Sequence, residues 1–238
     1  MPNTSSIEPS GIGLRRIALL QGLSAEGLDT LARECAWRNF TAGQHIITRD
    51  ANDRNVYFVV SGRVRVTSYS KAGRQVTFHD LEQGDFLGEM AAIDGMPRSA
   101  DVIALESSLV AAMTPIVFAR LLRGEPAVAA RVLERLASLV RGLTERVIDL
   151  STLGVQNRIH GELLRLARQA GISENRAILD PAPRHADIAS QVSTYREQVT
   201  RELSALAKAG LLQRDQRRLV VRDVRALEAL VYQVRGSV

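Results

Sequence analysis

The sequence predicts an α+β chain in which a strand-rich first half is followed by one long helix and then by a smaller, mainly helical part. Three observations lead to this prediction. Apolar residues alternate with a period of two over much of residues 38–113, and they recur at helical spacing along residues 127–151. After residue 184 the pattern indicates two short helices, a turn and a hairpin.

The composition is that of an ordinary globular protein. Of the 238 residues, 45% are hydrophobic and 24% are charged. Cys35 is the single cysteine, which excludes a disulfide framework, a cysteine-based zinc site and a four-cysteine iron–sulfur cluster within one chain. No stretch approaches ~18 consecutive apolar residues, and the N-terminus lacks a signal-peptide pattern, so we expect a cytoplasmic protein.

The net charge of +5 is unevenly distributed along the chain. Residues 1–150 contain 17 Lys/Arg and 17 Asp/Glu, whereas residues 151–238 contain 14 Lys/Arg and 9 Asp/Glu. A basic part joined to a neutral part suggests a polyanionic partner for the basic part. Chance clustering of charge on a solvated surface is the alternative.

The first half begins with a polar stretch, residues 1–10, that we expect to be frayed. One or two short helices are predicted between Ile17 and Trp37, with a helix start at Ser24. Glycine turns then separate short strands such as 56–60, 64–67 and 76–78, and strands resume at 101–104 and 107–113. Strands of this length with turns about every ten residues indicate an antiparallel sandwich or barrel.

The stretch Gly84–Ala100, G-D-F-L-G-E-M-A-A-I-D-G-M-P-R-S-A, interrupts the strand pattern with the inventory of an anion site. Gly88 permits positive φ and close approach of backbone N–H groups, and a short helix is predicted after it. The planar fork of Arg98 suits a phosphate, Ser99 adds a hydroxyl, and Glu89 suits a ribose hydroxyl. The alternative is a glycine-rich turn followed by a surface arginine.

A long helix is predicted from about Ala127 to Ser151, after a short helix over 116–122 and breaks at Gly124 and Pro126. Its apolar residues step by three and four, which is typical of a coiled-coil seam. Self-dimerisation is favoured over packing against the chain's own barrel, although Leu133 and Leu139 could pack there from another face. The seam residues are Ala129, Val132, Leu136, Val140, Leu143, Val147 and Leu150.

An amphipathic helix over 155–171 and a loop over 172–184, with a short strand at 177–179, precede a helix–turn–helix pattern. Its first helix is predicted at 185–191 and its second at 195–209, capped by Thr194. Val199, Leu203, Leu206 and Ala207 form the apolar face of the second helix. Arg196, Glu197, Thr200 and Arg201 lie on its opposite face near the N-terminus, where base-reading side chains are found.

A hairpin wing is predicted after the second helix, from Leu211 to Val221, and its Arg217 and Arg218 could meet phosphates. The alternative for the helix is a solvated face with i,i+4 ion pairs, since Glu197 and Arg201 have that spacing. The charge asymmetry and the dimerising helix favour DNA binding.

The order of these parts resembles the CRP/FNR superfamily of bacterial transcription regulators over nearly the full chain. G-E followed by P-R-S-A is similar to the phosphate-binding cassette of cyclic-nucleotide-binding proteins, and R-E-x-x-x-R is similar to the recognition helix of the catabolite activator type. The resemblance implies a cyclic-nucleotide-binding β-roll at 1–126, a dimerisation helix at 127–152 and a winged helix–turn–helix at 153–238.

The resemblance also implies roles for individual residues. Glu89 would take the ribose 2′-hydroxyl, and Arg98, Ser99 and the Gly88 backbone would take the cyclic phosphate. The implied ligand-binding set is Gly88, Glu89, Met90, Arg98, Ser99, Ala100, Leu143 and Thr144. The implied DNA-binding set is Thr194, Arg196, Glu197, Thr200, Arg201, Arg217 and Arg218, with TGTGA-like half-sites.

Two departures from the family pattern concern the long helix and the turn. Leu143 stands where the activator type has a hydroxyl residue near the base, while Thr144 keeps its hydroxyl. Ser193 replaces the usual turn glycine and Gln191 a usual apolar residue. A serine in left-handed geometry costs about 1 kcal/mol.

The sequence therefore predicts a homodimeric regulator that binds palindromic double-stranded DNA under the control of cAMP or cGMP. We expect no metal, haem or iron–sulfur cluster, since the cysteine cluster is absent, the cassette reads L-G-E, and His79 falls in a predicted strand. Contact with RNA polymerase is implied by the family. The alternatives are a regulator acting without a nucleotide or with another small effector, and a cyclic-nucleotide-binding regulatory subunit. No catalytic grouping is recognised, so an enzyme is not expected.

Overall fold

The computed structural model describes residues 11–70 and 73–235, so the tail predicted at 1–10 lies outside the described residues. The chain divides into two compact units. One covers the chain up to Leu139 except Arg74–Val76, and the other contains Arg74–Val76 and Val140 onward. In the described ranges, no helix combines the length and the apolar character needed to span a membrane.

The first unit contains an antiparallel β-roll of two four-stranded sheets, as the sequence predicts. One sheet has the order β1-β8-β3-β6 and the other β2-β7-β4-β5. The strands are β1 Ala36–Phe40, β2 His45–Ile47, β3 Val56–Ser61, β4 Arg63–Tyr69, β5 Gln75–Glu82, β6 Phe86–Leu87, β7 Asp101–Ala104 and β8 Ser108–Met113.

Strand β3 is apolar on both faces because it lies between two cores. Tyr57 and Val59 pack with residues of the second sheet inside the roll. Val56 and Phe58 face the opposite way and pack against the helices of the first unit. This alternation follows from the two-residue period of a strand and explains an unbroken apolar run in an antiparallel sheet.

The helices of the first unit cover the outer face of β3 and β8. They comprise α1 Gly11–Leu14, a 3₁₀ turn at Ala18–Leu20, α2 Ala25–Glu34, α3 Glu89–Asp94 and α4 Pro115–Gly124. Ser24 caps α2 by accepting a hydrogen bond from the Gly27 N–H at 3.1 Å, so the predicted helix start is confirmed. Thr114 caps α4 in the same way, with Pro115 in its first turn.

Helix α5, Pro126–Thr152, changes its environment along its length. Val128 and Val132 are buried and Leu136 is partly buried, all against the core of the first unit. The first turns of the predicted seam therefore pack on the chain's own β-roll. Packing on the chain's own barrel, the alternative to the seam, thus occurs in these turns, but Leu133, which was expected to make that contact, is 67% exposed.

The second unit continues from α5 with α6 Val155–Ala170, α7 His185–Gln191 and α8 Arg196–Lys208, together with a sheet of order β11-β12-β10-β9. Its strands are β9 Ile172–Ser173, β10 Arg176–Leu179, β11 Leu212–Asp215 and β12 Arg218–Val221. The helix–turn–helix and the hairpin wing are confirmed. Ala207, predicted to lie on the buried face of α8, is exposed.

Helix α9, Val224–Arg235, is absent from the sequence prediction. Val224, Leu227 and Val231 recur at helical spacing, and all three are buried in the core of the second unit with residues of α6 and α8. That spacing is the signal by which the helix could have been found.

Candidate functional site

The predicted cassette is a loop and a short helix held between β6 and β7. Gly88 precedes α3 with φ 86° and Gly95 follows it with φ 72°, so both glycines adopt left-handed geometry. Close approach reinforces this requirement at Gly88, because a Cβ there would lie 2.7 Å from both the Asn55 oxygen and Arg98 Nη1. The glycine at 88 is thus required by backbone conformation and by space.

Arg98 is buried in the base of this loop, with 4% of its surface exposed. Its Nη1 donates to the Gly88 carbonyl at 3.0 Å, and its Nη2 donates to the Asn55 carbonyl at 2.7 Å and to Asp53 Oδ2 at 2.6 Å. Its guanidinium carbon also lies 5.6 Å from the centroid of the Tyr57 ring. These contacts fix the plane of the guanidinium, so the interpretation of Arg98 as a surface arginine is wrong.

One nitrogen of Arg98, Nε, has no hydrogen-bond partner in the part of the chain that the structure describes. Among the described residues, the buried side-chain polar atoms without a hydrogen-bond partner are Arg98 Nε and His160 Nδ1. A buried N–H without an acceptor lowers the stability of the fold by roughly 1–3 kcal/mol, and the loss is larger when the group is charged. Such an atom beside a glycine loop fits an anionic ligand, since a phosphate oxygen would complete its hydrogen bonding.

Asp53 and Tyr57 form a second layer behind Arg98 that the sequence analysis missed. The Tyr57 hydroxyl donates to Asp53 Oδ2 at 2.8 Å, and the Asn55 N–H donates to Asp53 Oδ1 at 3.1 Å. Partial burial raises the pKa of Asp53, but hydrogen bonds from Arg98, Tyr57 and Asn55 outweigh it and the net pKa is lowered. Burial and the bond to Asp53 raise the pKa of Tyr57 to about 12. Asp53 is therefore a carboxylate and Tyr57 a neutral donor at neutral pH.

Glu89, in the first turn of α3, is 6% exposed. Burial raises the pKa of its carboxyl group, while its own backbone N–H and the charges of Arg135 and Arg98 act in the opposite direction. Arg135, on α5, is thus a further cation near the cassette that sequence reasoning missed. A buried carboxylate of this kind favours a ligand that donates a hydroxyl hydrogen bond to it.

The other predicted ligand residues differ in exposure and lie in both units. Met90 is 48% exposed, Ser99 is exposed and Ala100 is partly buried. Leu143 and Thr144 are exposed on α5 and belong to the second unit, and the Thr144 hydroxyl donates to the Val140 carbonyl at 2.9 Å. Their part in nucleotide binding stays a prediction.

In the second unit, Arg196, Glu197 and Arg201 project from the N-terminal half of α8 and are exposed. Within residues 73–235, no ion pair joins Glu197 to Arg201, although their spacing allows one. The Thr200 hydroxyl donates to the Arg196 carbonyl at 3.0 Å and lies 2.7 Å from His185 Nδ1. The charged tips at the start of this helix are thus presented to solvent.

One predicted contact, the helix cap by Thr194, differs from expectation. The cap of α8 is Tyr195, and its side chain makes no capping bond, so the prediction that Thr194 caps the helix is wrong. Thr194 is 5% exposed, and its hydroxyl bonds to Gln198 Oε1, because the turn folds it inward. In the wing, Arg217 and Arg218 are both exposed, and Arg218 Nε donates to Asp180 Oδ2 at 2.8 Å, so their contact with phosphates stays a prediction.

Two known domain families match the parts of the chain that contain these two sites. Residues 37–125 match the cyclic nucleotide-binding domain family, and residues 157–230 match the Crp-like helix-turn-helix domain family. The cyclic AMP receptor protein of Thermus thermophilus is 30% identical over 217 residues, which cover 90% of this chain and 96% of that protein. The chain belongs to the CRP/FNR family of transcription regulators.

Solved structures of the family share its fold. A putative crp/fnr-family regulator from Eubacterium rectale aligns with a TM-score of 0.72 at 17% identity, covering 92% of this chain and 99% of that one. The c-di-GMP responsive regulator CLP of Xanthomonas campestris aligns with a TM-score of 0.68 at 21% identity, covering 79% and 94%. The predicted fold class is confirmed, and this CRP/FNR protein is a DNA-binding regulator with a cyclic nucleotide-binding domain.

Replacement of Gly88 by alanine should be far more disruptive than replacement of Gly43. Both residues have positive φ, 86° and 84°, but no atom lies within 4 Å of a Cβ at Gly43. We expect Gly43→Ala to lower the free energy of unfolding by about 1–2 kcal/mol, and Gly88→Ala to lower it by a further ~1–3 kcal/mol. Urea unfolding measures both, and equal losses would contradict the close approach.

Replacement of Glu89 by glutamine should change how stability depends on pH. Because the folded-state pKa of Glu89 is raised, its contribution to stability is present below the unfolded pKa and is lost as pH rises through the folded value. The free energy of unfolding of Glu89→Gln, relative to the native protein, should therefore increase between about pH 4 and about pH 8. Urea titrations at both pH values provide the measurement, with the exposed Glu82→Gln as control. A difference that falls with pH would show that Glu89 is stabilised as a carboxylate.

Proposed function

We propose that this regulator is a homodimer whose affinity for palindromic operator DNA is controlled by cAMP or cGMP. In this proposal residues 1–126 bind the effector, residues 127–152 dimerise and residues 153–238 read DNA. A cytoplasmic location and contact with RNA polymerase complete it, as the family implies. The observation that carries the proposal is the buried, unpartnered Nε of Arg98 beside the Gly88 loop.

The chemistry around Arg98 supports a cyclic nucleotide as the effector. A single negative phosphate satisfies the Nε–H and places its charge against a guanidinium already held in plane by Asp53 and two carbonyls. Glu89 supplies the acceptor for a sugar hydroxyl, and its burial makes an unpaired carboxylate unfavourable. A ligand with one phosphate and one ribose hydroxyl would accept from Arg98 Nε–H and donate to the Glu89 carboxylate. The relative from Thermus thermophilus is named for cyclic AMP, which agrees with this choice.

The second half of α5 supports dimerisation. Val140, Leu143, Val147 and Leu150 keep the seam spacing and are 63%, 50%, 63% and 43% exposed. An apolar stripe of this regularity is stabilised by a second copy of the same helix. Leu143 would then lie in the dimer seam, and Thr144 beside it would offer its hydroxyl to the base.

The N-terminal half of α8 supports sequence-specific DNA binding. Arginine can donate two hydrogen bonds to guanine O6 and N7, and glutamate can accept one from the cytosine amino group. Arg196, Glu197 and Arg201 are exposed and carry those functions on one helix. The resemblance of this R-E-x-x-x-R pattern to the catabolite activator type favours TGTGA-like half-sites about one helical turn, ~34 Å, apart.

A second candidate is the same DNA-binding regulator acting without a nucleotide or with another small effector. Leu143 favours it, since an apolar seam residue stabilises a dimer without any ligand. The ion pair between Arg98 and Asp53 also favours it, because the carboxylate already neutralises the arginine. Operator affinity that is equal with and without cAMP, cGMP or c-di-GMP would select constitutive binding.

Substitution of Arg98 tests the nucleotide site. Arg98→Lys keeps the charge but loses the fork, so we expect the affinity for cAMP or cGMP to fall by about 2 kcal/mol, roughly 30-fold. Isothermal titration calorimetry gives the affinities, and Arg123→Lys, an exposed arginine on α4, should bind like the native protein. Unchanged affinity in Arg98→Lys would exclude Arg98 as the phosphate anchor, and no binding of either nucleotide to the native protein would exclude the proposed effector.

Substitution of Arg196 tests the recognition helix. On a duplex with two symmetric TGTGA-like half-sites, Arg196→Ala should weaken binding by about 1–3 kcal/mol, with a smaller loss on a scrambled duplex. Fluorescence anisotropy at fixed salt provides the comparison, since phosphate contacts make affinity salt-dependent. Arg123→Ala is the matched control. Equal losses on both duplexes would mean that Arg196 contacts only the backbone, and unaltered binding would exclude Arg196 from the DNA interface.

A further inference from the structure

The turn between α7 and α8 is short and carries backbone acceptors that need partners. The Val192 and Thr194 N–H groups bond to the Ile188 and Ala189 carbonyls at 3.0 and 2.9 Å, which completes the end of α7. The carbonyls of Gln191 and Val192 come next in the chain. Carbonyls at a helix C-terminus carry partial negative charge and favour cationic donors.

Two arginines from outside the helix–turn–helix supply these donors. Arg146 on α5 donates from Nη2 to the Gln191 carbonyl at 2.9 Å and to the Ser193 hydroxyl at 3.3 Å. Arg158 on α6 donates from Nε to the Val192 carbonyl at 3.1 Å and from Nη1 to the Leu153 carbonyl at 2.7 Å. Arg158 thereby joins the turn to the end of α5, and Arg146 joins it to the body of α5.

Ser193 explains why the contact from Arg146 matters locally. Its φ is 55°, a left-handed conformation that costs a non-glycine residue roughly 1–2 kcal/mol. The Ser193 hydroxyl accepts a hydrogen bond from Arg146 Nη2, the same nitrogen that donates to the Gln191 carbonyl. The serine side chain, which makes this backbone conformation unfavourable, therefore also forms a hydrogen bond across the turn. The departure from a turn glycine is therefore linked to an arginine on the long helix.

We propose that Arg146 is a positioning residue that fixes the start of the recognition helix to α5. Arg146 is one helical turn beyond Leu143 and two residues beyond Thr144, so displacement of this part of α5 moves the turn that sets the direction of α8. The link from effector to operator rests on the proposed function. The attachment of the turn to α5 is argued from the two contacts of Arg146 alone and does not rest on the proposed effector.

The contact is of a kind that a lysine can replace only in part. A guanidinium reaches two acceptors with one planar group, whereas an ammonium is a point donor on a more flexible stem. The aliphatic stem of arginine also packs, so methionine is the substitution that keeps the stem and removes the donors. Arg141, exposed on the same helix, provides the matched control.

The test uses the full-length protein with Arg146→Met, Arg146→Lys and Arg141→Met. Hydrogen exchange is measured for amides of residues 189–194 and, as a reference, of α9. Operator affinity is measured without nucleotide, with cAMP and with cGMP. We expect Arg146→Met to speed exchange at the turn about tenfold with α9 unchanged, and to weaken operator binding about tenfold. Arg146→Lys should recover part of both, and Arg141→Met should match the native protein.

The outcomes separate this inference from the proposed function. Native exchange at the turn and native operator affinity in Arg146→Met would overturn it, as would faster exchange spread equally over α9, which indicates general destabilisation. If the native protein responds to neither cAMP nor cGMP, the proposed effector fails, yet the turn exchange and the operator affinity without nucleotide still decide the role of Arg146. If cAMP does act, Arg146→Met should also reduce the ratio of operator affinities with and without it.

Discussion

The buried guanidinium of Arg98 is the group around which the cassette is organised. Its contacts with Asp53, Asn55 and Gly88 join three separate segments of the first unit and leave one donor unused. That arrangement requires a glycine at 88 and leaves the Nε–H of a guanidinium already paired with Asp53 for an anionic acceptor. Preorganised donors of this kind bind more tightly because their orientation is fixed before the ligand arrives.

Helix α5 has two environments because the apolar pattern serves two purposes. Val128 and Val132 are buried in the core of the first unit, whereas Val147 remains 63% exposed. Arg146 lies in the exposed half and reaches the turn before the recognition helix. One continuous helix thus carries residues packed in the core of the first unit, an exposed apolar stripe and the arginine that bonds to the turn.

Much of the fold could be predicted from the sequence because its signals are local. The change of period near residue 114, the cap at Ser24 and the helix–turn–helix spacing are all read within short windows. The cassette was found because Gly88 and Arg98 lie ten residues apart. Asp53 was missed because its partner is 45 residues away, and a single sequence does not show which charges meet across strands.

The burial of individual side chains was harder to predict than the positions of the helices and strands. Thr194 has the residue type of a cap, yet the turn folds it inward, and Leu133, an alternative contact with the barrel, is exposed on α5. Both errors arise because position around a helix depends on the packing of neighbouring elements. Periodicity alone does not distinguish a seam with a second chain from a contact with the chain's own core.

The most direct test of the central claim is NMR observation of the Arg98 side chain, assigned by comparison with Arg98→Lys. Because its Nε–H has no acceptor among the described residues, binding of cAMP or cGMP should move this proton resonance downfield and slow its exchange with water. The assigned Arg123 signal should not change. An Arg98 Nε–H signal that is unaffected by saturating nucleotide, while the nucleotide is shown to bind, would contradict the assignment of Arg98 as the phosphate anchor.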